Sequence, residues 1–160
     1  MYTGKQVKPA PVVTLNGKKL VKGTDYAVSY KNNTAAGTAT VTIAGKGIYT
    51  GTKTATFRIK KAANPITVKA KSPAVQASKV RQGDQAIIAK DAYTVSKAKG
   101  KVAYEKVSGN KMITVSSAGK ITVKKGLKKN AYAVKVKVSA KGNANYKAGS
   151  QTVSVKVSVK

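Results

Sequence analysis

Two stretches decide the fold: Tyr132-Ala-Val-Lys-Val-Lys-Val138 and Val153-Ser-Val-Lys-Val-Ser-Val159. In each, large apolar side chains fall at every second position. Lys135 and Lys137 fill the gaps in the first, and Ser154, Lys156 and Ser158 fill them in the second. A period of two places successive side chains on opposite faces of a strand, so each stretch reads as a strand with one buried and one wet face. The same alternation recurs upstream. Tyr26, Val28 and Tyr30 form one stripe; Ala39, Val41 and Ile43 alternate with Thr38, Thr40 and Thr42; Ala55, Phe57 and Ile59 alternate with Thr54, Thr56 and Arg58. Ile113 with Val115, and Ile121 with Val123, make two shorter inward pairs. No segment carries a sustained helical period. The expected fold class is all-β, in antiparallel sheets.

Turn signals separate the runs. Asn16-Gly17, between Val12–Leu15 and Leu20–Val21, is a strong hairpin cue. Lys31-Asn32-Asn33, Gly45-Lys46-Gly47, Ser108-Gly109-Asn110, Ala118-Gly119 and Gly142-Asn143 mark further loops. In Ser78–Ala92 the alternation breaks, and no register can be assigned there.

The chain also echoes itself. Val41-Thr-Ile-Ala-Gly-Lys-Gly-Ile-Tyr49, followed by Gly51 to Ile59, is one copy; Val136-Lys-Val-Ser-Ala-Lys-Gly-Asn-Ala-Asn-Tyr146, followed by Gly149 to Val157, is the other. Both read strand, Lys-Gly turn, Tyr, Gly, final strand. Two related modules account for this, at 1–60 and 66–160, with residues 61–65 as linker.

Composition restricts the chemistry. The 160 residues include 32 Lys+Arg and four Asp+Glu, with no His or Cys, for a net charge of +28. Residues 1–60 hold ten basic and one acidic residue; residues 61–160 hold 22 and three. Without imidazole or thiol, the usual bases, nucleophiles and zinc ligands are missing. The acids, Asp25, Asp84, Asp91 and Glu105, lie in separate segments, so neither a carboxylate pair nor a Ca²⁺ site is expected. The expectation is a protein that is not an enzyme and has no cofactor.

The absence of Cys fits a cytosolic protein, and equally a surface protein of an organism that does not rely on disulfides. No apolar run reaches 18 residues and no apolar leader core opens the chain, so no membrane insertion is expected. Met1 directly before a strand-like segment suggests an excised piece of a longer protein.

Almost all the positive charge is Lys, a solvated point charge, rather than Arg, whose planar fork grips phosphates and bases. Three groups are candidates for polyanion binding: Lys97, Lys99 and Lys101 in one loop; Lys124, Lys125, Lys128 and Lys129 in another; Lys135 and Lys137 on an outward strand face. Teichoic acid, extracellular DNA, or sulfated or sialylated glycans from cell wall or host would suit them, bound by counterion release. The same lysines also suit a solvated surface that guards sheet edges, and both readings stay open. Base-specific nucleic-acid recognition would want Arg or Asn at base edges or an aromatic platform, so only non-specific attachment is expected. Tyr49 and Tyr146 occupy equivalent echo positions, where Tyr would plug a sandwich end. The outward Thr rows read as ordinary exposed strand positions. A Lys–Asn isopeptide crosslink would need a buried acid, for which Glu105 is the only strand-borne candidate.

One family resembles the second half. Val107-Ser-Gly-Asn, then Ile113-Thr-Val-Ser-Ser-Ala-Gly-Lys-Ile-Thr-Val123, a Gly-bearing basic turn at Lys124–Asn130 and two closing strands resemble the group-2 bacterial Ig-like domain. The departure is Lys128-Lys129-Asn130, where the family usually has Gly before the next strand. The first half, with Gly23-Thr-Asp-Tyr26, Tyr30-Lys-Asn-Asn33 and Gly45-Lys-Gly-x-Tyr-Thr-Gly51, is similar to short Ig-like repeats in large surface proteins of Gram-positive Firmicutes. The resemblance implies two tandem small Ig-like β-sandwich modules in an extracellular, wall-attached, adhesin-like protein. It implies a non-catalytic spacer with neighbouring repeats in the same chain; the alternative is a dedicated binder of an anionic glycan or other polyanion.

Overall fold

A computed structural model describes all residues, Met1–Lys160. The chain forms fourteen strands and two short helices, so it is all-β in character, with several separate sheets. It divides into two compact units. Residues 1–62 with 144–146 form the first, and residues 63–143 with 147–160 form the second.

In the first unit, β1 (Thr14–Leu15) and β2 (Lys18–Lys19) make a hairpin around Asn16-Gly17. Both turn residues have positive φ, 48° and 81°, as the tight two-residue turn requires. A three-stranded antiparallel sheet follows, ordered β3 (Tyr26–Lys31), β4 (Gly37–Gly45), β5 (Thr52–Ile59). Its inner face carries Tyr26, Ala39, Val41 and Ile59, which with Leu20 are the buried apolar residues of this unit. The Tyr26 hydroxyl donates to the Pro11 carbonyl and the Tyr30 hydroxyl to the Pro9 carbonyl, which ties the extended N-terminal segment to the sheet. The Thr rows meet across strands, Thr40 opposite Thr56 and Thr42 opposite Thr54. Ala55, expected to point inward, is exposed. β5 is an edge strand, and the core reaches only its last residues, Phe57 and Ile59. Tyr146 belongs with this unit, its ring edge-on to Tyr2 at 5.3 Å.

The second unit contains β6 (Thr67–Ala70), β7 (Ala74–Val75), α1 (Ala77–Gln82), β8 (Gln85–Ile87), α2 (Ala89–Ala92), β9 (Tyr93–Ser96), β10 (Val102–Ser108), β11 (Ile113–Val115), β12 (Ile121–Val123), β13 (Asn130–Ala140) and β14 (Gly149–Val159). Its main sheet is ordered β10-β13-β14-β7. The β13–β14 pair is antiparallel over eleven residues each, from Asn130↔Val159 to Ala140↔Gly149. The two smaller sheets are β11-β12-β8 and β6-β9.

One core joins all three sheets. Val134, Val136, Val138, Val155, Val157 and Val159 from the main sheet pack with Ile113, Ile121, Val123 and Ile87, and with Val68 and Tyr93. The valine stripes read from sequence therefore form one wall of a sandwich-like unit. Each fully buried valine contributes about 1.5–3 kcal/mol relative to exposure. Leu127, 6% exposed, drops from the basic β12–β13 loop into the same core.

The unassignable stretch 78–92 holds α1, all but its first residue, then β8 and α2. α1 buries only Val80, and α2 only Ala92. β8 completes its sheet by pairing with β12, Ile87 opposite Ile121. The segment expected as a linker is also ordered. The Asn64 amide donates to the carbonyls of Lys99 (2.8 Å) and Lys147 (3.2 Å) and accepts from the Lys99 N–H (3.1 Å). No helix is long and apolar enough to cross a membrane.

A candidate polyanion-binding face on the main sheet

The main sheet departs from the antiparallel expectation at its edge, where the two-residue β7 pairs parallel to β14; across β10, β13 and β14, antiparallel pairing with period-two alternation fixes what each face carries. Since Val134, Val136 and Val138 point inward, Lys135, Lys137 and Ser139 point outward. Register then sets their neighbours. Ala103, Ser139 and Ser150 form one outward row, Glu105, Lys137 and Thr152 the next, and Ser108, Lys135 and Ser154 the third. Farther along, Lys156 lies opposite Ala133.

At the end of this face where β13 turns toward β14, a shallow cleft of about 640 Å³ opens. Lys101, Lys137 and Lys141 line it above a floor of small residues, among them Ala103, Ser139 and Ser150. Its rim is held by backbone hydrogen bonds, Lys141 N–H to the Lys101 carbonyl (3.0 Å) and Gly142 N–H to the Lys99 carbonyl (2.9 Å). The segments flanking β10 and β13 come so close here that a Cβ on Gly100 would sit 2.1 Å from the Gly142 carbonyl oxygen. Lys101 and Lys137, 36 positions apart in sequence, thus share one site. Lys141 joins them, although its Lys-Gly sequence reads only as a turn.

The other candidate lysines are arranged differently. Lys97 is exposed, with a left-handed backbone (φ 56°). Lys99 is half-buried and serves the fold through its backbone bonds to Asn64. Lys124 is paired with Asp84, Nζ to Oδ2 at 2.8 Å, and the Lys125 N–H donates to the other carboxylate oxygen at 2.8 Å. The Lys124 ammonium, and after it that backbone N–H, hold the Asp84 carboxyl below its ordinary range. Lys128 and Lys129 are exposed, and the Lys128 carbonyl accepts the Tyr132 hydroxyl at 2.8 Å. This loop precedes β13 while the cleft lies at its far end, and from Lys129 to Lys137 roughly 26 Å of strand separates them. The nine lysines do not converge on one site.

No group of three or more potential metal ligands forms. Asp25 accepts from the Val21 N–H at 2.7 Å. Glu105 lies on the outward, exposed side of β10, opposite Lys137. That position lacks the burial the isopeptide reading requires of its acid, because the odd-numbered residues of β10 point away from the core.

The one strongly perturbed group lies inside. Tyr93 is 3% exposed, and its hydroxyl has no hydrogen-bond partner. Burial, with the adjacent Tyr104 adding to it, pushes its pKa up to about 12. The two rings pack at 5.0 Å between centroids. With neither a charged partner nor a solvent path, this is a packing residue rather than an acid–base group.

No protein-family model matches the chain, and no curated protein matches it.

Proposed function

We propose that the chain is a non-catalytic extracellular repeat of a bacterial surface protein. In this reading it comprises two tandem small Ig-like sandwich modules and acts as a spacer whose Lys-rich surface associates with anionic envelope polymers. One observation carries the reading: the lysines stand on outward strand faces and turns, spread over the surface, while the valine stripes are spent on the core. Four carboxylates cannot neutralise 32 cations. Such a surface attracts polyanions through its field and by counterion release, without selecting one.

The cleft at Lys101, Lys137 and Lys141 favours a second reading, a dedicated binder of one anionic polymer. Titration with heparin, teichoic acid and DNA at rising salt separates the two. The spacer reading expects all three affinities to collapse together between about 50 and about 200 mM salt. A dedicated site would hold one of them. No binding to any polyanion at low salt would remove both.

A further inference from the structure

The outward face of the main sheet has a direction as well as a charge. Lys101 and Lys141 stand at one end, Lys137 is four residues along β13 from Lys141, and Lys135 is two farther. Lys156 stands beside Ala133, two residues beyond that. At about 3.3 Å per residue the line is roughly 27 Å long, with cations spaced about 7–13 Å apart. Between them the outward rows carry Ser, Thr and Ala, with Glu105 beside Lys137 and the exposed Val107 on β10; Ser139, Ser150, Thr152 and Ser154 offer hydroxyl donors. No aromatic ring lies on these outward rows, so nothing there would stack a nucleobase. No Arg lies there either, so the contacts available are point charges with hydroxyl hydrogen bonds.

We propose that this face is a track for one linear polyanion, a flexible chain of phosphate or sulfate groups without bases. The polymer lies along β13, with one end seated in the Lys101–Lys137–Lys141 cleft. The inference rests on the polyanion-association reading above and adds the place, the direction and the ligand chemistry. Glu105, exposed beside Lys137, opposes the ligand and weakens its hold at that row.

The test compares two triple variants that remove equal charge. Lys101→Gln/Lys137→Gln/Lys141→Gln acts on the track, and Lys18→Gln/Lys19→Gln/Lys22→Gln acts on exposed lysines of the other unit. Binding of inorganic polyphosphate, heparin and single-stranded DNA of matched length is measured against salt. The track variant is expected to flatten the logarithmic salt slope by about two, as three lost contacts require, and the control variant to leave it nearly unchanged. Glu105→Gln is expected to tighten binding. Polyphosphate against heparin distinguishes a phosphate from a sulfate source, and DNA is expected to bind no tighter than its charge dictates. Lys135→Gln/Lys156→Gln is expected to weaken long polyphosphate and to spare chains shorter than the track. Equal slope losses in both triple variants, or unchanged affinity in Glu105→Gln, would overturn the track while leaving diffuse association intact. Loss of all binding by the unmodified chain at low salt would instead overturn the underlying reading.

Discussion

Gly119 lies in the Val-x-x-x-Gly-x-Ile stretch that carries the family resemblance, and the structure gives it two separate reasons to be glycine. It sits in the β11–β12 turn, where the Ser116 carbonyl accepts from the Gly119 N–H at 2.8 Å and the Ser116 N–H donates to the Lys120 carbonyl at 2.9 Å. Its φ is +85°, a left-handed conformation that costs an L-residue roughly 1–2 kcal/mol. It also lies under the Tyr104 ring. An added Cβ would stand 2.9 Å from two ring carbons and 3.0 Å from the Ala89 Cβ. Overpacking of that kind costs about 1–3 kcal/mol. Gly119→Ala should therefore lose about 3 kcal/mol. For a unit of this size that corresponds to a fall of about 12–24 °C in Tm. Gly126 supplies the control. Its φ is +84°, but nothing lies within 4 Å of the added Cβ, so Gly126→Ala meets the backbone cost alone. Urea unfolding followed by circular dichroism, with an unchanged m-value, measures both. A Tyr104→Leu background should recover part of the Gly119→Ala loss and none of the Gly126→Ala loss. Equal losses at the two glycines would refute the claim that the Tyr104 ring constrains Gly119. No loss at either would refute the left-handed assignment.

Other outcomes follow from the core and its supports. Tyr93→Phe removes a buried hydroxyl that has no partner, and should leave stability unchanged or raise it by about 1 kcal/mol in chemical denaturation. The same group sets an alkaline limit. Its folded pKa, about 12, lies above the ordinary tyrosine value, so its share of stability is intact below about pH 10 and is lost as pH rises toward 12. Tyr93→Phe should therefore unfold at higher pH than the parent, and coincident alkaline transitions would refute this. Val134→Ala, at a fully buried site, should cost about 2 kcal/mol or more; a loss under half that would mean the β13 stripe is not core. Asn64→Ala strands the Lys99 amide and the carbonyls of Lys99 and Lys147, and should cost about 1–3 kcal/mol, with faster hydrogen exchange at the Lys99 amide as its local sign.

The strands were legible wherever one face met the core and the other met water. Tyr132–Val138 and Val153–Val159 are the clearest cases, because each alternates large apolar with Lys or Ser. Legibility failed where that contrast was missing. Ala55 kept the alternation, but it sits on the part of an edge strand that the core does not reach. In Ser78–Ala92 the helices have six and four residues and bury one apolar side chain each, too few to show a period of 3.6. Ala144–Tyr146 could not be placed with the first unit from sequence, since it is bounded on both sides by the second.

The candidate face shows the same limit. Lys135 and Lys137 were visible as an outward pair. That Lys101 shares a cleft with Lys137 depends on the β10–β13 register, which no local pattern encodes. Lys141 has the same parity as Lys135 and Lys137, so extending the alternation past the end of the strand would have found it. Sequence crowding misled in the other direction at Lys124 and Lys125. Asp84, some 40 positions earlier, occupies both the Lys124 ammonium and the Lys125 amide.

The central claim is that the +28 charge is displayed as a polyanion-binding surface. Its most direct measurement is the affinity of the unmodified chain for polyphosphate as salt is varied. With the five lysines of the track engaged, at the same slope per contact, affinity should fall about a hundredfold or more between about 50 and about 200 mM salt. Binding that is absent at low salt, or that stays constant across that range, would contradict the account.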